Sequence, residues 1–310
     1  MTSSVVSLRI ALPRSGASAS DERHLRGHIG RDLWRLAKTG ASPLIDVAIL
    51  SRPRRGARGT FRLTFSDGTV VKGRRCEHRR QAERIHELAA YLDPRHFPRI
   101  HRREGCALLE EWVEGRPLSE TADDGVFERG GAVLAGLHSV GLPRDRRLSA
   151  RSYLDASGPR VVQGLARLIR LNAITKEDGA AARELAMSSL PRDLVPALVH
   201  GDFCGDNMVV DASGRVRPID NESVMVHVPE YDLARTWYRW PMSPPQRAAY
   251  EKGYGDSPAV TRFRAHFDFW AILVLVESAL FRLRVGAGAP EIPLQRLRSL
   301  LRERRASVPA

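Results

Sequence analysis

Apolar and polar side chains alternate with period two in the first third of the chain, then recur with helical spacing. Phe61-Arg62-Leu63-Thr64-Phe65 alternates as a strand does, Ser66-Asp67-Gly68 supplies a turn, and Thr69-Val70-Val71-Lys72 follows as a β-branched run, so a hairpin is predicted. From Glu77 to Leu92 the period lengthens, with Gln81, Ala82, Ile85, Leu88, Ala89 and Leu92 on one helical face. Ala107 to Val113 reads as an apolar strand entering the turn Gly115-Arg116-Pro117. Beyond Gly115 helical patterns dominate: Phe127–Val140, Ser152–Leu171, Lys176–Ser188, Pro229–Trp240, Thr261–Arg284 and Pro293–Arg304. Gly/Pro stretches such as Gly141-Leu142-Pro143 separate some of them. One hairpin interrupts the series, Met208-Val209-Val210 and Val216 to Ile219 flanking the turn Asp211-Ala212-Ser213-Gly214. At the start, a small-residue stretch from Ser15 to Ser20 suggests disorder and Glu22–Lys38 reads as an amphipathic helix.

These patterns predict an α+β chain in three parts: an extension over residues 1–45 with one helix, a β-rich part over 46–113, and a mainly helical part over 114–310. A chain of 310 residues suffices for two substantial cores. The longest apolar run, Phe269–Phe281, contains Glu277 and is shorter than a bilayer demands, so it reads as a buried helix and no membrane partner is expected. Val5-Val6-Ser7-Leu8 is too short for a secretory leader.

The predicted chemistry lies around the second hairpin. Leu198-Val199 leads into His200-Gly201-Asp202-Phe203-Cys204-Gly205-Asp206-Asn207, and Ile219-Asp220-Asn221-Glu222 closes the hairpin that follows. Phosphoryl transfer asks little covalent help from protein: one group to orient the attacking hydroxyl, and ligands to hold magnesium on the phosphates. Asp202 suits the first task as catalytic base. Asn207 and Asp220 suit the second, because magnesium takes hard oxygen ligands and few of them from protein. Glu222 lies close in sequence as an additional acid.

This order resembles the catalytic and metal loops of protein kinases. With Gly rather than Arg after the histidine, it is most similar to the aminoglycoside phosphotransferase and choline kinase family of small-molecule kinases. The resemblance runs from roughly residue 45 to residue 240, and its specific part is Lys72, the Asp202 loop and the Asp220 strand. It implies a protein-kinase-like two-lobe fold, with a small, mostly antiparallel β lobe carrying a helix and a larger helical lobe. It implies ATP and Mg2+ as cofactors and a small-molecule hydroxyl as acceptor. Lys72 would meet the nucleotide phosphates, and backbone groups of Glu111, Trp112 and Val113 would form the adenine-binding hinge. The loop Ser51–Gly59 would lie over the phosphates, although it offers only Gly56 and Gly59 where protein kinases have GxGxxG. Protein kinases pair this lysine with a helix glutamate; family spacing points to Gln81, with Glu77 and Glu83 as the neighbouring acids. Asp232 in Tyr231-Asp232-Leu233-Ala234-Arg235 matches an aspartate that braces the catalytic loop, and His138 matches a structural histidine beneath it. Acceptors in this family include aminoglycosides and other antibiotics, choline, amino acids and sugars, so antibiotic resistance is one expected role. A kinase fold that binds nucleotide with weak or no catalysis is the alternative.

Composition sharpens one assignment. Of 49 Lys plus Arg, only Lys38, Lys72, Lys176 and Lys252 are lysine, so a lysine in this chain is the exception. The formal charge is +13, and the excess lies in residues 1–113, where 22 basic side chains face 12 acidic ones. It includes Arg52, Arg54, Arg55 and Arg58. No aromatic interleaving accompanies it, so polyphosphate attraction or a solvated surface is expected and nucleic acid is not. Asp155, Asp256, Asp268 and Glu277 either line an acceptor pocket or pair with arginines. Three cysteines, Cys76, Cys106 and Cys204, form no paired spacing, which fits a cytoplasmic protein. Cys204, inside the catalytic loop, is expected to react with thiol reagents. The sequence leaves the oligomeric state open.

An ammonium is a compact point charge and a guanidinium a planar fork. Lys72→Arg is therefore expected to lower phosphotransfer strongly although charge is kept, while Lys176→Arg and Lys252→Arg are silent. Rates of the three variants measured side by side decide this; equal rates would reduce Lys72 to a solvated strand end.

Overall fold

A computed structural model describes residues 9–11, 19–51, 59–121, 123–142, 150–286 and 288–306. Val5–Leu8 and the arginines of the 52–58 loop lie outside the described residues. The chain packs as two units, Met1–Leu118 with Met208–Glu222, and Ser119–Asn207 with Ser223–Ala310.

The first unit begins with β1 (Arg9–Ala11), α1 (Ala19–Ile29) and α2 (Arg31–Lys38). The helix expected over Glu22–Lys38 is thus two, broken at Gly30. Then come β2 (Leu44–Ser51), β3 (Gly59–Phe65), β4 (Val70–Arg75), α3 (Arg79–Ala89), β5 (Ile100–Glu104), β6 (Ala107–Glu111) and the two-residue β7 (Arg116–Pro117). Strands β1 to β6 form one antiparallel sheet in the order β1-β2-β3-β4-β6-β5. Its alternation buries Val47, Ile49, Phe61, Leu63, Phe65, Val71 and Leu109 against Leu25, Ile29, Leu33 and Trp34 of the first two helices. The sequence extension is therefore part of this unit's core. Leu108 joins Ala82 and Ile85 of α3 in a separate small cluster. Lys72 stands opposite Arg62 on β3 and Glu110 on β6. Cys76 and Cys106, far apart in sequence, reach adjoining strand ends, where the Cys76 N–H donates to the Cys106 carbonyl at 2.8 Å.

The second unit contains α4 (Asp124–His138), α5 (Ala150–Arg170), α6 (Lys176–Ser188) and β8 (Ala197–Val199). Two of these helix starts are capped: Asp123 accepts from the Gly125 N–H and Thr175 from the Asp178 N–H. After Asn207 the chain returns to the first unit as β9 (Met208–Val210) and β10 (Val216–Pro218), with β9 also pairing β7. Dividing the sequence at residue 114 assigns this hairpin to the helical part; packing places it with the sheet unit. The reason is local: β7 offers β9 a free edge, and Arg217 makes two hydrogen bonds to Glu111, at 2.7 and 3.1 Å.

Back in the second unit, β11 (Met225–His227) pairs β8, followed by α7 (Pro229–Arg239), α8 (Pro244–Tyr254), α9 (Pro258–Ala265), α10 (Phe267–Val285) and α11 (Glu291–Ala306). The single helix expected over Thr261–Arg284 is interrupted at His266, which leaves helical geometry at φ −118°. Helix α10 is the centre of the core: every residue from Phe269 to Val276 is buried, within a cluster that takes in α5, α6, α7 and α11. No helix among the described residues is long and apolar enough to cross a membrane.

Helices α4 and α8 approach so closely that a Cβ on Gly131 would lie 2.1 Å from the Tyr250 carbonyl oxygen, whereas Gly136 on α4 has open space. Gly131→Ala is expected to destabilise by about 1–3 kcal/mol, as overpacking does. Gly136→Ala should stabilise by about 0.5–1 kcal/mol through helix propensity. Thermal unfolding of both variants tests the crossing; shifts of the same sign would contradict it.

Candidate active site

Glycine in place of arginine after His200 has a backbone reason. Gly201 adopts φ +78°, and a Cβ there would come within 2.7 Å of the Ser223 carbonyl oxygen. Only glycine takes that conformation without cost. The loop is tied to α7 through Asp232, a wholly buried side chain. Its carboxylate accepts from the backbone N–H groups of His200 at 2.6 Å and Gly201 at 2.7 Å, and meets His138 Nε2 at 3.1 Å. His138 is held in turn by the Tyr254 hydroxyl at 2.7 Å. Burial pushes the Asp232 carboxyl up, but the His138 hydrogen bond and charge, with His200, outweigh it and hold the group below its ordinary range. The bracing aspartate and structural histidine expected from the resemblance occupy those places.

Asp202 follows on this anchored loop. One of its carboxylate oxygens accepts from Arg235 Nη2 at 2.7 Å and lies 3.5 Å from Arg239 Nε; the other accepts from Asn207 Nδ2 at 3.1 Å. The same Nδ2 donates to the Asp202 carbonyl at 2.9 Å. Because both partners are acceptors, the amide nitrogen of Asn207 must point at Asp202, which leaves its carbonyl oxygen as the atom to offer a hard cation. Cys204 is buried, and burial together with the Asp202 charge raises its thiol pKa. The expectation of a reagent-accessible thiol is corrected: Cys204 is 1% exposed, out of reach of reagents in the folded loop.

The sheet unit assembles a second group. Along β4, Lys72 and Arg74 share a face, because side chains two apart on a strand do. Lys72 donates to the Ile219 carbonyl and lies 3.7 Å from Glu110. Arg74 is bound to three acids: Glu110 at 2.5 Å, Asp220 at 3.0 Å and Glu222 at 3.0 Å. Burial, then the Arg74 charge, pulls the Lys72 ammonium below its usual range against Glu110 and Asp220. Burial works against the Glu110 carboxylate, yet Arg74 and Lys72 outweigh it and keep it low. Helix α3 supplies no acid to Lys72. Glu83 pairs with Arg79 and Arg103, the Gln81 amide accepts from the Glu77 N–H, and Glu77 faces His78. The acid beside the lysine stands on a strand.

At the strand end expected to form the hinge, the Glu111 carboxylate is clamped by Arg217 and accepts from the Arg99 N–H at 3.1 Å. Trp112 donates to Glu114 at 2.6 Å beneath the Arg62 guanidinium, and Val113 follows. Of the acids weighed for an acceptor pocket, Asp268 pairs with Arg304 and Glu277 accepts from Tyr231 and meets Arg160; Asp256 is exposed, and the side chain of Asp155 lies outside the described residues. Arg74, Glu110, Arg235 and Arg239 were not read from sequence. The visible signals were two consecutive acids in an apolar strand, Glu110-Glu111, and two cations one residue apart on another.

An antiparallel sheet unit carrying helices, together with a mainly helical unit, is a protein-kinase-like fold. The chain belongs to the phosphotransferase enzyme family (APH), whose sequence model matches residues 49–266. Among solved structures, it is similar to an ethanolamine kinase from Plasmodium vivax, with 11% identity, TM-score 0.61 and coverage of 92% of this chain and 96% of that one. A macrolide 2'-phosphotransferase from Brachybacterium faecium shares 18% identity at TM-score 0.55, covering 85% and 95%. An aminoglycoside-3'-phosphotransferase of type VIII shares 21% at TM-score 0.52, covering 78% and 99%. These likenesses establish the fold. No curated protein matches.

Asp232→Asn removes the charge that His138 and two backbone N–H groups share, and is expected to cost about 2–3 kcal/mol at neutral pH. A carboxyl whose folded pKa is depressed stabilises above its unfolded value of about 4 and loses that contribution as pH falls through the folded value. The stability gap to wild type should therefore hold from neutrality to about pH 5 and close in more acid solution. A gap independent of pH would mean that Asp232 is not ionised in the fold.

Proposed function

We propose that the protein transfers the γ-phosphate of ATP to a hydroxyl of a small molecule with Asp202 as general base. The observation that carries this reading is the setting of Asp202, on a glycine-dependent loop braced by Asp232 and oriented by Asn207 and Arg235. Asp202 accepts the acceptor hydroxyl's proton as that oxygen attacks phosphorus, and the ADP oxygen leaves. Lys72 binds the nucleotide phosphates, and the backbone at Glu111, Trp112 and Val113 binds adenine. The Asn207 amide oxygen and the Asp220 carboxylate are each hard donors of the kind magnesium takes, and this ion needs few protein ligands, since it keeps several waters and takes phosphate oxygens. When bound, magnesium neutralises charge on the phosphates. Free thiols at Cys76, Cys106 and Cys204 fit a reducing, cytoplasmic setting.

Aminoglycosides and other antibiotics, choline, amino acids and sugars are the acceptor classes in view. Two arginines, Arg235 and Arg239, flank Asp202, and the carboxylates Asp206 and Glu277 act on the same loop and on Arg235, so the charge there does not divide these classes. A kinase fold without catalysis is less well supported, because Lys72 has an acid partner in Glu110 although the helix lacks one.

Asp202→Asn is expected to leave ATP affinity nearly intact and lower turnover by about 10²–10⁴. Asp220→Ala should abolish turnover and the magnesium dependence of nucleotide binding. Nucleotide affinity with and without magnesium, together with turnover, checks both. An unchanged rate in Asp202→Asn with a lowered melting temperature would leave this residue only a loop cap.

A further inference from the structure

We propose that Glu110 is the positioning residue of Lys72, doing from strand β6 what a helix glutamate does in protein kinases, with Arg74 holding it in place. The inference rests on Lys72 being the nucleotide lysine, as argued above.

Three observations carry it. First, Glu110 and Lys72 are register partners on adjacent antiparallel strands, so the backbone ladder fixes their separation. A helix acid depends on how the helix docks; this acid does not. Second, Glu110 is 3% exposed and Arg74 2% exposed, with the Arg74 guanidinium on both Glu110 oxygens at 2.5 and 3.4 Å. That fixes the carboxylate plane and leaves one edge toward the lysine, 3.7 Å away. Third, the α3 acid Glu83 pairs with Arg79 and Arg103, and the helix contributes a cation instead: Arg84 donates to the Glu222 carbonyl at 2.9 Å.

Stability alone does not account for the arrangement. A buried ion pair is often no better than a well-packed apolar pair of similar volume. Leu108 sits on the same face of β6 two residues earlier, packed against α3, so this face accepts an apolar side chain. Arg74 also binds Asp220 and Glu222, so the guanidinium links the acid beside the lysine to the acids after β10. Lysine, strand acid and metal-type carboxylate are thereby held at one arginine. A lysine without Glu110 would keep only the Ile219 carbonyl as a fixed acceptor, and its ammonium would be free to swing from in-line geometry, the kind of misplacement that costs rate more than binding.

The test is a double-mutant cycle on turnover, with nucleotide affinity and melting temperature measured on every variant. Glu110→Gln keeps shape and removes charge, and Arg74 retains Asp220 and Glu222 as counter-charges. Glu110→Gln is expected to lower kcat by about 10-fold or more while ATP affinity changes far less. In a Lys72→Met background the same substitution should have almost no further effect, because a residue acting through another is silent once that other is gone. Independent, multiplying losses would overturn the proposal and leave Glu110 a structural acid, as would an unchanged kcat in Glu110→Gln. If Glu110→Gln does not fold, Glu110→Asp keeps the charge but withdraws it by one methylene and enters the same cycle with the same expected outcomes. If Lys72→Met alters neither turnover nor nucleotide affinity, the nucleotide-lysine reading itself fails. That outcome is distinct from a Glu110 failure, in which Lys72→Met still acts.

Discussion

A carboxylate buried between two strands stays ionised only if cations are built around it, and this constraint organises the sheet unit. Glu110 is 3% exposed, and removal from water disfavours its charge by several kcal/mol unless nearby cations compensate. Arg74 and Lys72 compensate, and both must then come from the one face of β4 that meets β6 at this register. Arg74 has hydrogen-bonding capacity beyond one acid, which Asp220 and Glu222 take up. The excursion Met208–Glu222 is thus bound to the sheet unit by charge at its end as well as by strand pairing at its beginning. Lys72, Arg74 and Asp220 are thereby grouped around one buried acid.

The helical unit solves a matching problem with backbone donors. Asp232 is fully buried, and its compensation comes from two peptide N–H groups and His138. Peptide donors tie the acid to the main chain of a particular loop, so satisfying Asp232 also fixes where Asp202 begins. Asp202 itself remains partly exposed, with Arg235 and Asn207 dividing its two oxygens. The bracing acid and the acid proposed as base therefore differ in solvent access.

Much of this was legible in sequence where the signal is local. The Lys176–Ser188 helix appears with the same bounds, the Asp211–Gly214 turn separates two paired strands, and the buried character of Phe269–Val276 is plain from its lack of polar positions. What escaped depended on tertiary pairing. Strand β5 carries His101, Arg102 and Arg103 and shows no alternation, so only its ladder with β6 makes it a strand. Helix α8 begins with two prolines behind a Ser243–Gln246 capping box, a start signal without an apolar stripe to confirm it. Family spacing points to the helix for the partner of Lys72, while the register that brings Glu110 opposite is a property of the sheet. Arg235 and Arg239 read as ordinary members of an arginine-rich helix until the loop that α7 braces is in place.

The most direct measurement is a crystal structure with magnesium and a non-hydrolysable ATP analogue. The account predicts that Lys72 Nζ exchanges the Ile219 carbonyl for phosphate oxygens while staying beside Glu110, and that magnesium binds the Asp220 carboxylate. Phosphates bound away from Lys72, with its ammonium still on the Ile219 carbonyl and the metal off Asp220, would contradict it.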